Sequence, residues 1–296
     1  MKCMLAVVAL VCISMMSCGE EKAAGPAKNR SEYKMLDVDG RVINIAESGV
    51  FLPGIYTDSG NSIKLSNYSI ASETITIEKW EKFIEATHNT KWTWPDGFDI
   101  KTEIADQKKS PAFNMTWYEA IEYCNWLSSQ EGLAPVYELI PAKNNEAGSG
   151  TTVVWHKQKD GYRLPTPEEW QNAVIGVRDG AENLKKKRQD EFNAAIASDG
   201  RLDASGRDRA RVFAVDDIYE NNIGLFVNLS QNVCEYTWGF AKAGEESIIR
   251  VWQEDSIDEK SIANCEVVEM LPRSLQTIFP DKRAYNATIR VARNRK

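Results

Sequence analysis

Three helix starts constrain the fold more than any other feature of this sequence. In "TWYEAIEYCNWLSS", Thr116 stands three residues before Glu119, and "TPEEWQNAV" repeats this spacing from Thr166. The spacing is that of a capping box, in which two side chains satisfy the first free N–H groups of a helix. A third stretch, "TITIEKWEKFIEA", offers Thr76 as the cap. The sequence therefore predicts three helices.

Apolar residues at helical spacing identify the side of each helix that faces the core. Cys124 lies among them, so its thiol is expected inside the protein. The residues predicted to point inward are Ile77, Trp80, Phe83 and Ile84 on the first helix, Trp117, Ala120, Ile121, Cys124 and Leu127 on the second, and Trp170, Ala173 and Val174 on the third.

Between and after the helices, short strand patterns alternate with long polar loops. Helices mixed with short strands that do not alternate regularly with them are typical of an α+β domain, and no repeat appears at a fixed period. We therefore predict one loop-rich α+β domain with a few short strands. The strand-like runs are "TTVVWHK", "GYRL", "RVFAV", "ESIIRVW" and "ATIRVAR".

The N-terminus is typical of a bacterial lipoprotein signal. Lys2 precedes the apolar run "MLAVVALVCISMM", and Ser17 precedes Cys18. Cleavage before Cys18 would leave its thiol to carry lipid, which holds the mature chain at a membrane of the cell envelope. An ordinary secretory signal is the alternative. The predicted divisions are a signal peptide at 1–17, a flexible tether at 18–35 and a folded domain at 36–296.

Charge and cysteine content exclude several classes of site. The chain has 36 Lys and Arg against 43 Asp and Glu, a net charge of −7, and an acidic surface disfavours nucleic acid. Outside the signal, Cys124, Cys234 and Cys265 are the only cysteines besides Cys18, too few for a full disulfide framework. With only two histidines, a His-rich transition-metal site is not expected.

The stretch "NLSQNVCEYTWG", Asn228 to Gly239, combines residue types that suit different chemistries. Asn228 and Glu235 offer hard oxygen ligands, whereas Cys234 offers a soft sulfur, and these suit different metal ions. From the residues alone, three interpretations stay open: a metal-binding loop, a cysteine active site, and a polar turn that leads into a strand.

Four stretches, in their order and approximate spacing, resemble the formylglycine-generating enzyme or sulfatase-modifying factor family. The resemblance extends from about Phe51 to Asn294, nearly the whole mature chain. It implies an α+β domain with a C-type lectin-like fold, little regular secondary structure and a core of tryptophans, here Trp117, Trp126, Trp170 and Trp238. The stretches are "SPAFNMTWYEAIEYCNWLS", "GYRLPTPEEWQNAV", "NNIGLFVNLSQNVCEYTWG" and "IRVARN".

The resemblance implies a calcium site in the loop that begins at Asn228. The family binds calcium through an Asn, a carboxylate and backbone carbonyls, and Asn228 and Glu235 stand at the matching positions. Gln231 and Val233 stand where the family supplies further oxygen ligands. Gln231 replaces a family Gly, and Cys234 replaces a family Trp, so Cys234 is expected to be a small core residue. A metal-free polar loop is the alternative.

The resemblance also implies a copper site, which this chain matches only in part. The family's enzymes bind copper through two cysteines four residues apart and oxidise a target cysteine to formylglycine. Here Glu259 stands near the first position, and only Cys265 lies near the second. We expect copper to be absent and no residue to be catalytic. The alternative is a formylglycine-generating type of oxidoreductase, or a related oxygenase, with an altered metal site.

The expected function is therefore that of a lipid-anchored binding or display module whose ligand is a protein or a glycan. In members of this fold built by diversity-generating retroelements, the sequence just before the terminal strand varies. Here "EVVEMLPRSLQTIFPDKRAYN" lies in that place and departs from the enzyme pattern. Core packing is the alternative for some of its apolar side chains. The predicted binding surface consists of Met270, Leu275, Ile278, Phe279 and Tyr285.

Overall fold

The structure is a computed structural model that describes part of the chain. The chain divides into two units, Met1–Arg30 and Ser31–Lys296, and every described residue belongs to the second. The described residues are 32–44, 62–89, 91–94, 110–140, 151–175, 219–220, 223–227, 234–242, 265–271, 274–284 and 287–295.

The first two predicted helices form where their start signals stand. Helix α1 is Ile77–Thr87, and the hydroxyl of Thr76 caps it. Helix α2 is Trp117–Gln130, and it begins with the complete capping box of Thr116 and Glu119. Their inward faces are as predicted. Buried residues are Ile77, Trp80, Phe83, Trp117, Ala120, Ile121, Cys124 and Leu127, while Ile84 is half-buried.

Helix α3, Pro167–Ile175, also starts with its predicted capping box. The hydroxyl of Thr166 accepts the N–H of Glu169 at 3.2 Å, and the Glu169 carboxylate accepts the N–H of Thr166 at 3.0 Å. The same carboxylate binds Arg163 through two hydrogen bonds of 2.6 and 2.8 Å. Unlike a surface helix, α3 buries polar side chains as well as apolar ones. The buried polar residues on it are Glu168, Glu169, Gln171 and Asn172.

Short strands occupy about half of the other described residues, and together with the helices they confirm the α+β class. Predicted runs at 151–157 and 161–164 correspond to the sixth and seventh strands. The strands are β1 Met35–Val38, β2 Val42–Asn44, β3 Ser62–Lys64, β4 Tyr68–Ala71, β5 Tyr137–Ile140, β6 Thr152–Trp155, β7 Tyr162–Arg163, β8 Tyr219–Glu220, β9 Phe226–Val227, β10 Cys234–Lys242, β11 Cys265–Leu271, β12 Ser274–Ile278, β13 Ala287–Thr288 and β14 Ala292–Asn294.

These strands form two four-stranded sheets and three two-stranded ones. The first sheet has the order β1-β4-β14-β7, and all its pairs are antiparallel. The second has the order β12-β11-β10-β13, in which only the β10–β13 pair is parallel. The two sheets thus both take strands from the C-terminal part of the chain.

The strand predicted over residues 287–293 is in fact two short strands in different sheets. Strand β13 pairs with β10, whereas β14 lies between β4 and β7. Between them, the carbonyl of Ile289 accepts the N–H of Ile75 at 3.0 Å, and that of Val291 accepts the N–H of Ala71 at 2.8 Å. The apolar alternation continues through this link, but its hydrogen-bond partners change from one sheet to the other.

The tryptophans pack as the sequence predicts, with one exception. Trp117, Trp170 and Trp238 are buried. Trp126 is half-buried and packs against the outside of the core, with its ring centroid 5.6 Å from those of Phe83 and Tyr123. The predicted core position of Trp126 was therefore only partly correct, because its helix position faces the edge of this aromatic cluster.

The folded domain begins earlier than the predicted tether boundary at residue 35. Tyr33 is buried, and its hydroxyl lies 2.6 Å from that of Tyr123 on α2. The ammonium of Lys79 lies 3.7 Å from the centre of the Tyr33 ring. Met35 already belongs to β1. One buried aromatic ring, within a stretch of tether-like composition, thus anchors this segment to both helices.

Several predictions fall outside the described residues. They are the signal peptide at 1–17, lipidated Cys18, the tether up to residue 31, and the strands "RVFAV" and "ESIIRVW".

None of the described helices is both long and apolar enough to cross a bilayer.

Buried tyrosine hydroxyls are expected to make the fold sensitive to alkali. Burial is the main cause that raises the pKa of Tyr33, Tyr68, Tyr123 and Tyr137. An unfolded tyrosine ionises near pH ~10, so above that pH the unfolded state binds fewer protons than the folded one. The contribution of these tyrosines to the free energy of unfolding is therefore fully present below pH ~10 and is lost as the pH rises further. Urea unfolding at a series of alkaline pH values measures this loss.

The Tyr33→Phe variant provides the control for this alkaline effect. It removes one buried hydroxyl but leaves every lysine in place, so the free energy of unfolding should fall less steeply with pH than in the wild type. An equal fall in both proteins would contradict a tyrosine origin.

Candidate functional site

Glu235, the carboxylate of the predicted metal loop, is held in a buried ion pair. It lies on β10 and is 4% exposed. Its Oε2 accepts hydrogen bonds from the indole Nε1 of Trp170 at 2.7 Å and from Arg290 Nε at 2.8 Å. Its Oε1 accepts one from Arg290 Nη2 at 2.8 Å. The third nitrogen of Arg290 donates to the carbonyl of Ala71 at 3.0 Å.

This geometry bears on the predicted calcium site. Asn228, Gln231 and Val233 lie outside the described residues, so their role as calcium ligands stays a prediction. Calcium takes carboxylate oxygens directly as ligands, but both oxygens of Glu235 already accept N–H groups. As placed, Glu235 does not fit a calcium ligand. It is the counter-ion of Arg290.

Cys265 lies in a different setting from Cys124 and Cys234. Cys265 begins β11 opposite Lys242, and its side chain is outside the described ones, so the alternative oxidoreductase site stays a prediction. Cys124 and Cys234 are buried, and neither belongs to a disulfide bond within the described part of the chain. Burial raises the pKa of the Cys124 thiol, which disfavours the thiolate that attacks substrates or binds metals. Among the described residues, no three His, Cys, Asp or Glu side chains are grouped to hold a metal ion.

The predicted binding surface is partly within the described residues. Phe279 is exposed, at 38%, and Ile278 beside it is half-buried against the core. Met270 and Leu275 are partners across the β11–β12 pair, but their side chains are outside the described ones, as is all of Tyr285. Phe279 is therefore the exposed apolar side chain that the structure brings to this surface.

Phe279 begins a tight turn, Phe279–Arg283, that we call the Phe279 turn. The N–H of Lys282 donates to the Phe279 carbonyl at 2.9 Å, and Asp281 and Lys282 are exposed. After it, the N–H of Ala284 donates to the carbonyl of Met115 at 3.3 Å. The backbone on the C-terminal side of the exposed ring is thus fixed to the segment that precedes α2.

Arg283 fixes this turn by side-chain bonds to two other segments. Its Nη1 and Nη2 each donate to the carboxylate of Glu119 at 2.9 Å. They also donate to the carbonyls of Asn114, at 2.9 Å, and of Lys91, at 2.8 Å. A guanidinium and a carboxylate in this two-bond arrangement form a strong and geometrically specific pair.

Glu119 is the common partner of these segments. Besides Arg283, its carboxylate accepts the N–H of Thr116 at 2.8 Å, as the capping box requires, and the amide of Asn89 at 3.2 Å. One carboxylate therefore joins the start of α2, the segment after α1 and the Phe279 turn. The capping role of Glu119 was predicted from sequence, but its ion pair with Arg283, 164 residues away, was not.

Three half-buried aromatic rings lie on the segments that Glu119 and Arg283 join. Trp92 and Trp94 pack edge to face, with ring centroids 4.8 Å apart, and Trp92 Nε1 donates to the Phe113 carbonyl at 3.2 Å. Tyr118 donates its hydroxyl to the Thr151 carbonyl at 2.9 Å. Burial first, and the negative charge of nearby Asp281 second, raise the pKa of Tyr118 to about 12. We call Trp92, Trp94, Tyr118 and Phe279 the aromatic surface.

Asn114 holds in place the short segment that carries Trp92 and Trp94. Its φ of 60° lies in the left-handed region, which Asn tolerates better than most residues. In this conformation its side-chain amide donates to the Thr93 carbonyl at 2.6 Å, while its own carbonyl accepts Arg283. Asn114, Trp92 and Trp94 were not predicted from sequence to be part of a site.

Most of the chain matches a family of known domains. A family model described as the sulfatase-modifying factor enzyme 1-like domain matches residues 23–295. A curated relative, chaperone protein LppX of Paenibacillus barcinonensis, is 27% identical over 210 residues, which cover 66% of this chain and 70% of that protein.

Two solved structures are similar in fold. CarF covers 90% of this chain and 100% of its own, with a TM-score of 0.56 and 17% identity. Treponema denticola variable protein 1 covers 91% of this chain and 98% of its own, with a TM-score of 0.55 and 18% identity. At this level of identity both comparisons concern the fold alone.

Proposed function

The chain belongs to the family of sulfatase-modifying factor enzyme 1-like domains, and from this premise we propose that it is a non-catalytic binding module. In this proposal, lipid on Cys18 holds the domain at a membrane of the cell envelope. The aromatic surface then binds a ligand, which we take to be a protein. A glycan is the alternative ligand.

One observation carries the proposal, namely an exposed aromatic ring on a turn that is fixed from several sides. Among the described residues, Phe279 and Val42 are the exposed large hydrophobic side chains. Aromatic side chains supply much of the energy at the centre of protein interfaces. Because Arg283 already fixes the Phe279 turn, binding would lose little further conformational entropy there.

The surroundings of Phe279 support a protein ligand. Asp281 and Lys282 are exposed on the same turn, and they carry opposite charges, so the turn offers polar contacts around an aromatic centre. A central apolar anchor with a polar rim is typical of protein interfaces. The relative named as a chaperone protein also favours a protein ligand over a glycan.

The Phe279→Ser variant tests this proposal by pull-down from an envelope extract of the producing organism. We expect captured ligand to bind about tenfold more weakly or worse, since losing an aromatic anchor costs roughly 1–2 kcal/mol or more. The melting temperature should hardly change, because the ring is exposed. The matched control is Val42→Ser, which removes the other exposed hydrophobic residue and should leave capture unchanged.

The extract itself distinguishes the two ligand classes. Protease treatment of the extract should abolish capture, whereas periodate oxidation of its glycans should not, and the reverse pattern would identify a glycan. Equal capture by the wild type and Phe279→Ser would contradict the proposed surface.

A further inference from the structure

The cation beside Glu235 is supplied by the protein itself. Arg290 is 1% exposed, and its guanidinium makes two bonds to the Glu235 carboxylate. The indole N–H of Trp170 completes the set of donors. A buried carboxylate needs a positive partner and hydrogen-bond donors, and here it has both without an added ion.

A calcium ion and this guanidinium would compete for the same carboxylate. Calcium binds carboxylate oxygens at about 2.3–2.6 Å, often through both at once. The two oxygens of Glu235 instead lie 2.8 Å from Arg290 nitrogens. A divalent ion in that place would stand a few ångströms from a buried positive charge, where repulsion is large because the local dielectric constant is low.

Arg290 cannot easily withdraw to make room. Its neighbours in the chain, Ile289 and Val291, are both buried, and their carbonyls accept backbone N–H groups from the segment before α1. Moving the guanidinium alone would leave a buried, unpaired charge, which is more costly than the pair. The position of Arg290 is therefore set by the link between the two sheets.

We propose that the guanidinium of Arg290 replaces a metal ion as the cation of the Glu235 carboxylate. The Glu235 carboxylate then needs no calcium ion as its counter-charge.

Thermal unfolding of the wild-type protein gives the first test. The melting temperature should be the same in chelator and in millimolar calcium chloride, and calorimetric titration with calcium chloride should show no saturable heat. A lower melting temperature in chelator that calcium restores, and that Asn228→Ala no longer shows, would overturn the proposal.

Variants of the pair give the second test. Glu235→Gln and Arg290→Met should each lower the melting temperature by roughly 6–20 °C, with or without calcium, because each leaves its buried partner unmatched. The double variant should lose less than the sum of the two single losses. Strictly additive losses would overturn the pairing, and if a single variant fails to fold, the wild-type measurements still decide.

Discussion

Replacement of Glu169 by alanine is expected to lower the free energy of unfolding by about 3–5 kcal/mol, because it leaves a buried arginine unpaired. The side chain of Arg163 is 2% exposed and that of Glu169 is 10% exposed. Both guanidinium Nη atoms donate to this carboxylate, at 2.6 and 2.8 Å. Without it, Arg163 would keep its bonds to the Asn294 side chain and the Leu164 carbonyl but would lose its counter-charge.

Urea unfolding measures this loss, and two further variants separate its causes. Glu169→Gln can keep the capping box of α3 but loses the charge, so it should be less destabilising than Glu169→Ala by about the value of a cap, roughly 1 kcal/mol. Glu32→Ala removes an exposed pair with Lys82, at 4.0 Å, and should cost less than about 1 kcal/mol. A comparable loss for Glu32→Ala and Glu169→Ala would contradict the importance of burial.

Replacement of Trp238 by alanine is expected to cost about 3–5 kcal/mol, since it opens a large cavity in the core. Trp238 is 2% exposed. Its ring stacks on that of Tyr137, with centroids 5.0 Å apart, and lies 5.5 Å from those of Trp117 and Trp155. These contacts join β10 to α2 and to the β5–β6 hairpin, so the cavity would affect three elements together.

Chemical denaturation of Trp238→Ala and Trp238→Phe tests the cavity explanation. Trp238→Phe keeps an aromatic ring in the same place and should cost markedly less. If both variants lost the same stability, or if the alanine variant lost less than about 1 kcal/mol, the ring would not be a main contributor to the core.

The helices were predictable from sequence because their signals are local. The threonine caps and the glutamates that close the capping boxes stand within one helical turn of each other, so neither depends on the rest of the fold. The burial of Cys124 follows in the same way from its position on the apolar side of α2.

The candidate site was harder to predict because its parts come from distant segments. The Arg283–Glu119 pair joins residues 164 positions apart, and the Arg290–Glu235 pair joins residues 55 apart. No spacing rule connects such residues. Glu119 and Glu235 were identified from sequence, one as a cap and the other as a metal ligand, but an arginine partner for either has no local signature.

The predicted tether boundary and the predicted last strand differ from the structure for a related reason. Tyr33 lies in a polar stretch, so composition alone assigns it to a linker, although its ring is buried against Tyr123. Residues 287–293 keep one apolar alternation, yet the chain passes from one sheet to the other within them. In both cases tertiary packing decides what local pattern cannot.

The central position of β14 has a consequence for how the protein is made. This strand, Ala292–Asn294, lies between β4 and β7, and Arg290 just before it reaches Ala71, 219 residues earlier. Until β14 itself has been synthesised and has left the ribosome, β4 lacks the neighbour that joins it to β7. We therefore expect the nascent chain to carry unpaired strand edges until β14 becomes available, and to be exposed to aggregation and proteolysis during that interval.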